Sequence, residues 1–118
     1  MHNNEDCIFC KIVNGELPCD KVYEDEHCIA FKDINPKADV HVLLIPRKHI
    51  ASLRDFSIDD AELLSHLMLT APKVAESLGL EHGFRTIINT GAGGGQIVFH
   101  VHLHILGILD GTKTMPFE

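Results

Sequence analysis

Alternating apolar and polar residues predict short strands in the first third of the chain. The segment "KVYEDEHCIAFKDI" (21–34) divides into two short strands around an acidic turn at 24–26. The segment "ADVHVLLIPRKHI" (38–50) predicts a stronger strand. Its two faces alternate, with Val40, Val42 and Leu44 on one side and His41, Leu43 and Ile45 on the other. Pro46 has no N–H to donate and is expected to end the pairing.

The middle of the chain predicts one long helix, over "SIDDAELLSHLMLTAPKVAESLG" (57–79). Ser57 followed by Asp60 has the spacing of a capping box, and Gly79 suits a left-handed helix end. Pro72 lies inside the pattern and is expected to kink the helix or to split it in two. The residues that recur at helical spacing and predict a core-facing stripe are Leu64, Leu67, Met68, Ala71, Val74, Ala75 and Leu78.

The last third predicts two further strands, "HGFRTIINT" (82–90) and "QIVFHVHLHILG" (96–107), joined across the glycine patch at 91–95. Strands on both sides of one long helix indicate an α+β fold with a mostly antiparallel sheet of about five strands. A length of 118 residues fits a single domain, 1–118, with residues 1–6 and 110–118 as tails.

Composition narrows the function classes. The hydrophobic fraction of 45% and the charged fraction of 23% are typical of a soluble globular protein. A net charge of −7 argues against binding to a nucleic-acid polymer, although a small nucleotide in a pocket is compatible with it. The start has no signal-peptide pattern and no apolar run is long enough for a membrane span, so we expect a cytoplasmic protein. Its four cysteines are then thiols or metal ligands.

The most unusual pattern is "FHVHLHILG", in which His100, His102 and His104 alternate with apolar residues. On a strand these three imidazoles would lie in a row on one face, neighbours being about 7 Å apart. A metal site, a catalytic site and a solvated strand face are the possible interpretations. Neutral imidazole is costly to bury without hydrogen-bond partners. A strand face that carries three histidines by chance is therefore the weakest of these interpretations.

A glycine-rich loop directly precedes this histidine segment, in "NTGAGGGQ" (89–96). Glycines permit positive φ and allow backbone N–H groups to approach an anion. Next to imidazoles, which act as nucleophile, acid or base near neutral pH, the loop indicates chemistry on a phosphate.

Several blocks together resemble the histidine triad (HIT) family of nucleotide hydrolases and transferases. "HVHLH" is similar to the family signature. In order along the chain, "CIFCKIVNGELP", "FKDINPKADVHVLLIPRKHI", "LGL…GFR…INTG" and "GGGQIVFH" resemble blocks of its Hint branch. The resemblance covers roughly residues 5–108. It implies a two-fold homodimer in which two sheets join into one.

The resemblance also implies roles for individual residues. His102 matches the nucleophile that attacks the α-phosphorus of a nucleotide conjugate, His104 matches a phosphate or leaving-group contact, and His41 matches a separate fourth histidine. Asp33 matches the carboxylate that receives the ribose hydroxyls. Phosphate or leaving-group contacts correspond to Asn89 and to the backbone of Gly95 and Gln96, and the apolar base slot corresponds to Phe9, Ile12, Phe31, Ile34 and Leu43, all five of which would otherwise be core residues. Ile97 departs from the Ser or Thr of many relatives, which is expected to weaken leaving-group assistance.

The pair Cys7 and Cys10 has the spacing of half a tetrahedral zinc site. Spacing alone leaves the other ligands open among His49, Cys19, Cys28 and the triad, and it also leaves open that the pair are small buried hydrophobes. Similarity to bacterial-type HIT proteins implies a structural zinc held by Cys7, Cys10, His49 and His100, with Cys19 and Cys28 as plain thiols.

The resemblance, taken with these residues, implies a hydrolase of purine nucleoside 5′-phosphoramidates or related AMP or GMP conjugates, acting through a covalent nucleotidyl-histidine. The alternatives are a dinucleoside polyphosphate hydrolase, as in the Fhit branch, and a nucleotide- or zinc-binding interaction module with little turnover.

Overall fold

The computed structural model describes residues 6–116, which form a five-stranded antiparallel sheet and two α-helices. The strand order across the sheet is β1-β2-β3-β5-β4. The strands are β1 (Lys21–Glu24), β2 (Cys28–Lys32), β3 (Val40–Pro46), β4 (Arg85–Ile87) and β5 (Leu103–Gly107), and the helices are α1 (Ile8–Val13) and α2 (Ala61–Ser77). The predicted α+β class with one long helix is therefore confirmed.

The central strand β3 sets the position of the histidines. It pairs with β2 on one side, where Phe31 lies opposite Leu43, and with β5 on the other, where His104 lies opposite Leu43. The predicted alternation along β3 is confirmed. Leu43 and Ile45 face one side of the sheet, and Val42 and Leu44 face the other.

Two apolar clusters cover the two faces of the sheet. The α2 side is built from Cys28, Ala30, Val42, Leu44, Leu67, Ala71, Val74, Ala75, Leu80, Leu103 and Ile105. The α1 side is built from Cys7, Phe9, Cys10, Ile29, Phe31, Leu43 and Ile45. The buried apolar stripe of α2 is narrower than the sequence predicts. Met68 is 46% exposed, and Leu64 and Leu78 are only half-buried.

Helix α2 begins after a capping box and continues through its proline. The Ser57 hydroxyl accepts the Asp59 N–H, and the Asp60 carboxylate accepts the Ser57 N–H at 3.0 Å. Of the two effects expected of Pro72, a kink or a split, the split does not occur, because α2 is unbroken from Ala61 to Ser77. Pro72 lies on the exposed face, where the carbonyl that loses its N–H donor can turn to solvent. Gly79 follows the helix with φ of 92°, as predicted.

Replacing Ser57 with alanine removes one side of this capping box and is expected to lower the free energy of unfolding by about 1 kcal/mol. Urea denaturation measures the change. Ser65→Ala, at an exposed position inside the same helix, is the matched control and should cause no loss. Equal effects of the two substitutions would contradict a capping role for Ser57.

The last two strands are shorter than predicted. β4 covers only Arg85–Ile87, and β5 begins at Leu103, so His100 and His102 precede the strand that contains His104. The segment 96–102 is held by other partners. The Val101 N–H donates to the Ile50 carbonyl at 2.7 Å, which takes it out of a sheet ladder.

The residues after β5 return across the domain. The Leu109 N–H donates to the Asp39 carboxylate at 3.0 Å, and the Arg85 guanidinium donates to the Pro116 carbonyl. Residues 1–5 and 117–118 of the predicted tails lie outside the described residues. Among the helices of residues 6–116, none combines the length and apolar character that crossing a membrane requires.

Candidate active site and metal centre

His102 is oriented by a backbone carbonyl. Its Nδ1 lies 2.8 Å from the carbonyl oxygen of His100. Because a carbonyl can only accept, Nδ1 carries the proton and Nε2 keeps its lone pair. The ring packs edge-on against Phe9, with centroids 5.2 Å apart. A half-buried imidazole held in this tautomer presents a nitrogen nucleophile.

His104 and His41 form a second hydrogen-bonded pair beside it. The His102 and His104 ring centroids are 5.1 Å apart, and His104 Nδ1 lies 3.0 Å from His41 Nε2. The Lys37 N–H donates to His41 Nδ1 at 3.0 Å. This bond makes Nδ1 of His41 an acceptor, so its Nε2 carries the proton and donates to His104. His104 in turn is left with its proton on Nε2.

Burial keeps these histidines neutral. Burial, followed by positive charge on the neighbouring His102 and His41, lowers the pKa of His104 to about 4. Burial also lowers the pKa of His41, against the opposing effect of the Asp33 carboxylate. Desolvation lowers the pKa of His102 in the same direction. The site therefore holds neutral imidazoles at pH 7, as nucleophilic attack requires.

Asp33 lies at the edge of this histidine group. Its Oδ2 is 3.3 Å from His41 Nε2, and its Oδ1 accepts the Asn35 N–H at 2.8 Å. The side chain keeps 18% of its surface exposed, so it remains accessible to a hydroxyl-bearing ligand. The sequence contains no signal for this contact with His41, because the resemblance connects Asp33 only with the ribose hydroxyls.

The glycine loop is held together by Gln96. This buried side chain accepts the Gly91 N–H at 2.9 Å and donates to the carbonyls of Ala51 and Val98. The backbone N–H groups of Gly95 and Gln96, expected to face phosphate, donate to the carbonyls of Ala92 and Gly91 in the same loop. A phosphate that contacts these two N–H groups would share them with the carbonyls to which they already donate.

The remaining residues of the loop and its flanks differ in exposure. Gly95 has φ of 89°, a left-handed conformation that glycine adopts without strain. Asn89 is half-buried between β4 and the loop, and Ile97 is 88% exposed.

Only some of the residues expected to form the base slot belong to the hydrophobic core. Phe9, Phe31 and Leu43 are buried together, with the two phenyl rings edge-to-face at 5.4 Å, and Ile12 packs against them half-buried. The interpretation of Ile34 as a core residue is wrong, because it is 92% exposed. It follows the end of β2 in the loop that carries Asp33, where no other element covers it.

Four potential metal ligands converge where α1 meets the sheet. Cys7 Sγ lies 3.3 Å from His100 Nδ1, and Cys10 Sγ lies 3.2 Å from His49 Nδ1 and 3.5 Å from His100 Nδ1. All four ligand atoms lie within 4.8 Å of one another. Sulfur and nitrogen ligands of a tetrahedral zinc ion are about 3.5 Å apart, so the four residues fit such an ion.

The surroundings of this cluster orient its ligands. His100 Nε2 donates to the Pro46 carbonyl at 2.7 Å, which leaves Nδ1 deprotonated toward the cluster. Of the ligands that the sequence left open, Cys28 belongs to the α2 side of the sheet, and Cys19 is not among the grouped ligand atoms. We name Cys7, Cys10, His49 and His100 the metal centre.

His100 links the metal centre to the candidate nucleophile. Its ring belongs to the metal centre, and its carbonyl holds His102 Nδ1. The sequence cannot specify which carbonyl accepts the Nδ1 proton of His102, because the bend before β5 decides it.

Comparison with known proteins agrees with these features. The HIT domain family model matches residues 14–110. Protein HitA of Neisseria gonorrhoeae is 52% identical over 103 residues, which span 87% of this chain and 96% of that protein. A HIT family hydrolase from Clostridium thermocellum superposes with a TM-score of 0.86 at 51% identity, covering 90% of this chain and 93% of that one.

A zinc-bound histidine triad family protein from Mycobacterium smegmatis is a more distant structural relative. It superposes with a TM-score of 0.77 at 32% identity, covering 96% of this chain and 82% of that one. The match to the family model, the identity to HitA and the arrangement of the histidines agree. This chain belongs to the HIT family.

Proposed function

We propose that this protein hydrolyses purine nucleoside 5′-phosphoramidates, or related AMP or GMP conjugates, through a nucleotidyl group carried on His102. The observation that carries the proposal is the bond from His102 Nδ1 to the His100 carbonyl, which leaves Nε2 as the nucleophile. The hydrolase to which the chain is similar supports the reaction class.

The reaction takes two displacements at phosphorus. His102 Nε2 forms a bond to the α-phosphorus as the bond from phosphorus to the leaving nitrogen breaks. That nitrogen keeps the bonding electron pair and, having taken up one proton from solvent, departs as ammonia. Water then attacks the phosphorus, the bond to His102 breaks, and the nucleoside monophosphate leaves with release of one proton.

His104 and His41 supply a fixed hydrogen-bond donor for this chemistry. With its Nδ1 occupied by His41, His104 directs Nε2–H outward to a phosphate oxygen or leaving group. The Lys37 N–H fixes this direction because it sets the tautomer of His41. We assign ribose binding to Asp33, phosphate contacts to Asn89 and the Gly95–Gln96 backbone, and base contacts to Phe9, Ile12, Phe31, Ile34 and Leu43.

The metal centre is proposed to hold a structural zinc ion through Cys7, Cys10, His49 and His100. A closed site of four protein ligands supplies structure and no open position for substrate. Its role here is to fasten α1 to the segment 96–102 and so to keep the His100 carbonyl in place. Breaking the centre should therefore affect both stability and the orientation of His102.

The exposed surface and the family support a proposal on assembly. β4 lies at an edge of the sheet, and an unpaired edge can be closed by a second copy. Exposed apolar side chains on and before α2, including Leu69 at 70% and Ile58 at 87%, add surface for such a contact. We propose a homodimer that acts in the cytoplasm on nucleotide substrates.

The pH profile follows from the buried histidines. Because burial lowers the pKa of His104 to about 4 and also lowers that of His41, both stay neutral below the ordinary histidine value of 6.5. We expect kcat/KM to remain level from pH 7 to below 6.5 and to fall only at more acidic pH. Steady-state rates across this range measure the profile. An acid limb centred at or above 6.5 would contradict the proposed desolvation of these rings.

The substrate class is tested by comparing adenosine 5′-phosphoramidate with diadenosine polyphosphates and following AMP release. A higher kcat/KM for the phosphoramidate is the expected result. A preference for the dinucleotide would assign the protein to polyphosphate hydrolysis. AMP binding with no turnover of either compound would favour the binding-module alternative.

A further inference from the structure

A second group of potential ligand atoms lies on the α2 side of the sheet, away from the histidine site. Asp25, in the turn between β1 and β2, Cys28, at the start of β2, and His66, on α2, place their ligand atoms within 4.8 Å of one another. His66 Nε2 is 2.7 Å from Asp25 Oδ2, and Cys28 Sγ is 3.5 Å from Asp25 Oδ1.

The Asp25 carboxylate is held rigidly in this position. Its Oδ1 accepts the N–H groups of His27 and Cys28 at 2.8 and 2.9 Å, and its Oδ2 accepts the Tyr23 hydroxyl at 2.8 Å. Outer hydrogen bonds of this kind orient carboxylate ligands toward an ion. Cys28 is fully buried beneath α2, whereas His66 keeps 36% of its side chain exposed, so an ion could enter from the helix side.

Within residues 6–116, no lysine or arginine side chain forms an ion pair with the Asp25 carboxylate. Arg47 lies close by, but its guanidinium bonds to the backbone carbonyl of Asp25 and to the Glu24 carboxylate. The Asp25 carboxylate is left with hydrogen-bond donors and His66. A divalent ion bound to one carboxylate, one thiolate and one neutral imidazole would form a neutral unit, which suits a partly buried position.

We propose that Asp25, Cys28 and His66 form a second metal site, selective for a zinc-like divalent transition-metal ion. One oxygen, one sulfur and one nitrogen ligand favour such an ion over calcium or magnesium, which prefer oxygen alone. Three protein ligands leave a position for water or for His27, whose ring centroid lies 5.2 Å from that of His66. This site does not depend on the proposed hydrolysis.

Binding involves a defined proton change. The Cys28 thiol, which now donates toward Asp25, loses its proton to solvent and binds through sulfur. His66 moves its proton from Nε2 to Nδ1 and binds through the freed Nε2 lone pair. The hydrogen bond between His66 and Asp25 is replaced by their shared contact with the ion. One proton is released for each ion bound.

Metal content after equilibrium dialysis against Co²⁺ tests the site in the intact protein. We expect wild type to hold one ion per chain more than Cys28→Ser, and to show a thiolate-to-cobalt charge-transfer absorption that Cys28→Ser reduces. His66→Gln, at a partly exposed helix position, should lose the same ion with the fold intact by circular dichroism. Cys19→Ser is the matched thiol control and should retain it.

The comparison measures a difference between variants, so it does not depend on occupancy of the metal centre formed by Cys7, Cys10, His49 and His100. Equal cobalt content in wild type, Cys28→Ser and His66→Gln would overturn the proposal. A loss in His66→Gln alone, without any change of the charge-transfer band in Cys28→Ser, would exclude Cys28 as a ligand and would overturn it as well.

Discussion

Replacing His102 with alanine is expected to lower kcat for adenosine 5′-phosphoramidate by at least about 10³-fold. The substitution removes the only imidazole in the group whose Nδ1 is held by a carbonyl, and with it the Nε2 that attacks phosphorus. Binding of AMP should change little, because the proposed ribose and base contacts come from other residues. Single-turnover rates and AMP titration measure the two quantities separately.

His82→Ala is the matched control for this substitution, because His82 is an exposed histidine outside the site. It should leave kcat within about twofold of wild type, as exposed substitutions away from such features usually do. If His102→Ala retained more than a tenth of the wild-type rate, the assignment of the nucleophile would be wrong.

Replacing Cys10 with serine is expected to abolish binding of the proposed zinc ion and to destabilise the fold. Cys10 Sγ contacts both histidines of the metal centre, at 3.2 and 3.5 Å, so its loss leaves three ligands and a broken cluster. An ion present at 1,000 times its Kd stabilises the folded state by about 4 kcal/mol, which sets the scale of the loss. Turnover should fall as well, because the His100 carbonyl loses its anchor.

Zinc content by metal analysis, together with urea denaturation, measures this effect. Cys19→Ser, a half-buried thiol outside the metal centre, is the control and should keep the zinc. Unchanged zinc content in Cys10→Ser would exclude the metal centre. Full loss of zinc with wild-type turnover would show that His102 is oriented without help from the ion.

Much of the fold follows from local chemistry that the sequence displays. The alternation along β3 places His41 among Leu43 and Ile45, and the capping box at Ser57 marks the start of α2. Such signals depend on residues close together in the chain, so they can be interpreted without knowing the fold. The resemblance to the HIT family supplied the four ligands of the metal centre, which the structure brings together.

Other features depend on contacts between distant residues and could not be predicted in the same way. The alternation of His100, His102 and His104 suggests one strand, yet the strand begins only at Leu103. The segment before the strand instead bonds to distant residues, with Gln96 donating to the Ala51 carbonyl and the Val101 N–H donating to the Ile50 carbonyl. The alternating pattern assigns the histidines to a face but contains no signal for the contacts that place the His100 ring in the metal centre.

The tautomers of the site are a second example. The Lys37 N–H sets His41, and His41 sets His104, through bonds between residues that are 4 and 63 positions apart. The resemblance places His41 near the site, but the sequence contains no signal for which ring nitrogen of His41 or of His104 carries the proton. The backbone position of Lys37, fixed by the fold, defines it.

The covalent intermediate is the most direct test of the proposed mechanism. Wild-type protein is mixed with adenosine 5′-phosphoramidate labelled at the α-phosphorus, quenched with denaturant at alkaline pH, and digested to locate the label. We expect a burst of up to one nucleotidyl group per chain, found on the peptide that contains His102 and absent from His102→Ala. AMP formation with no labelled protein at any quench time, or label on another residue, would contradict it.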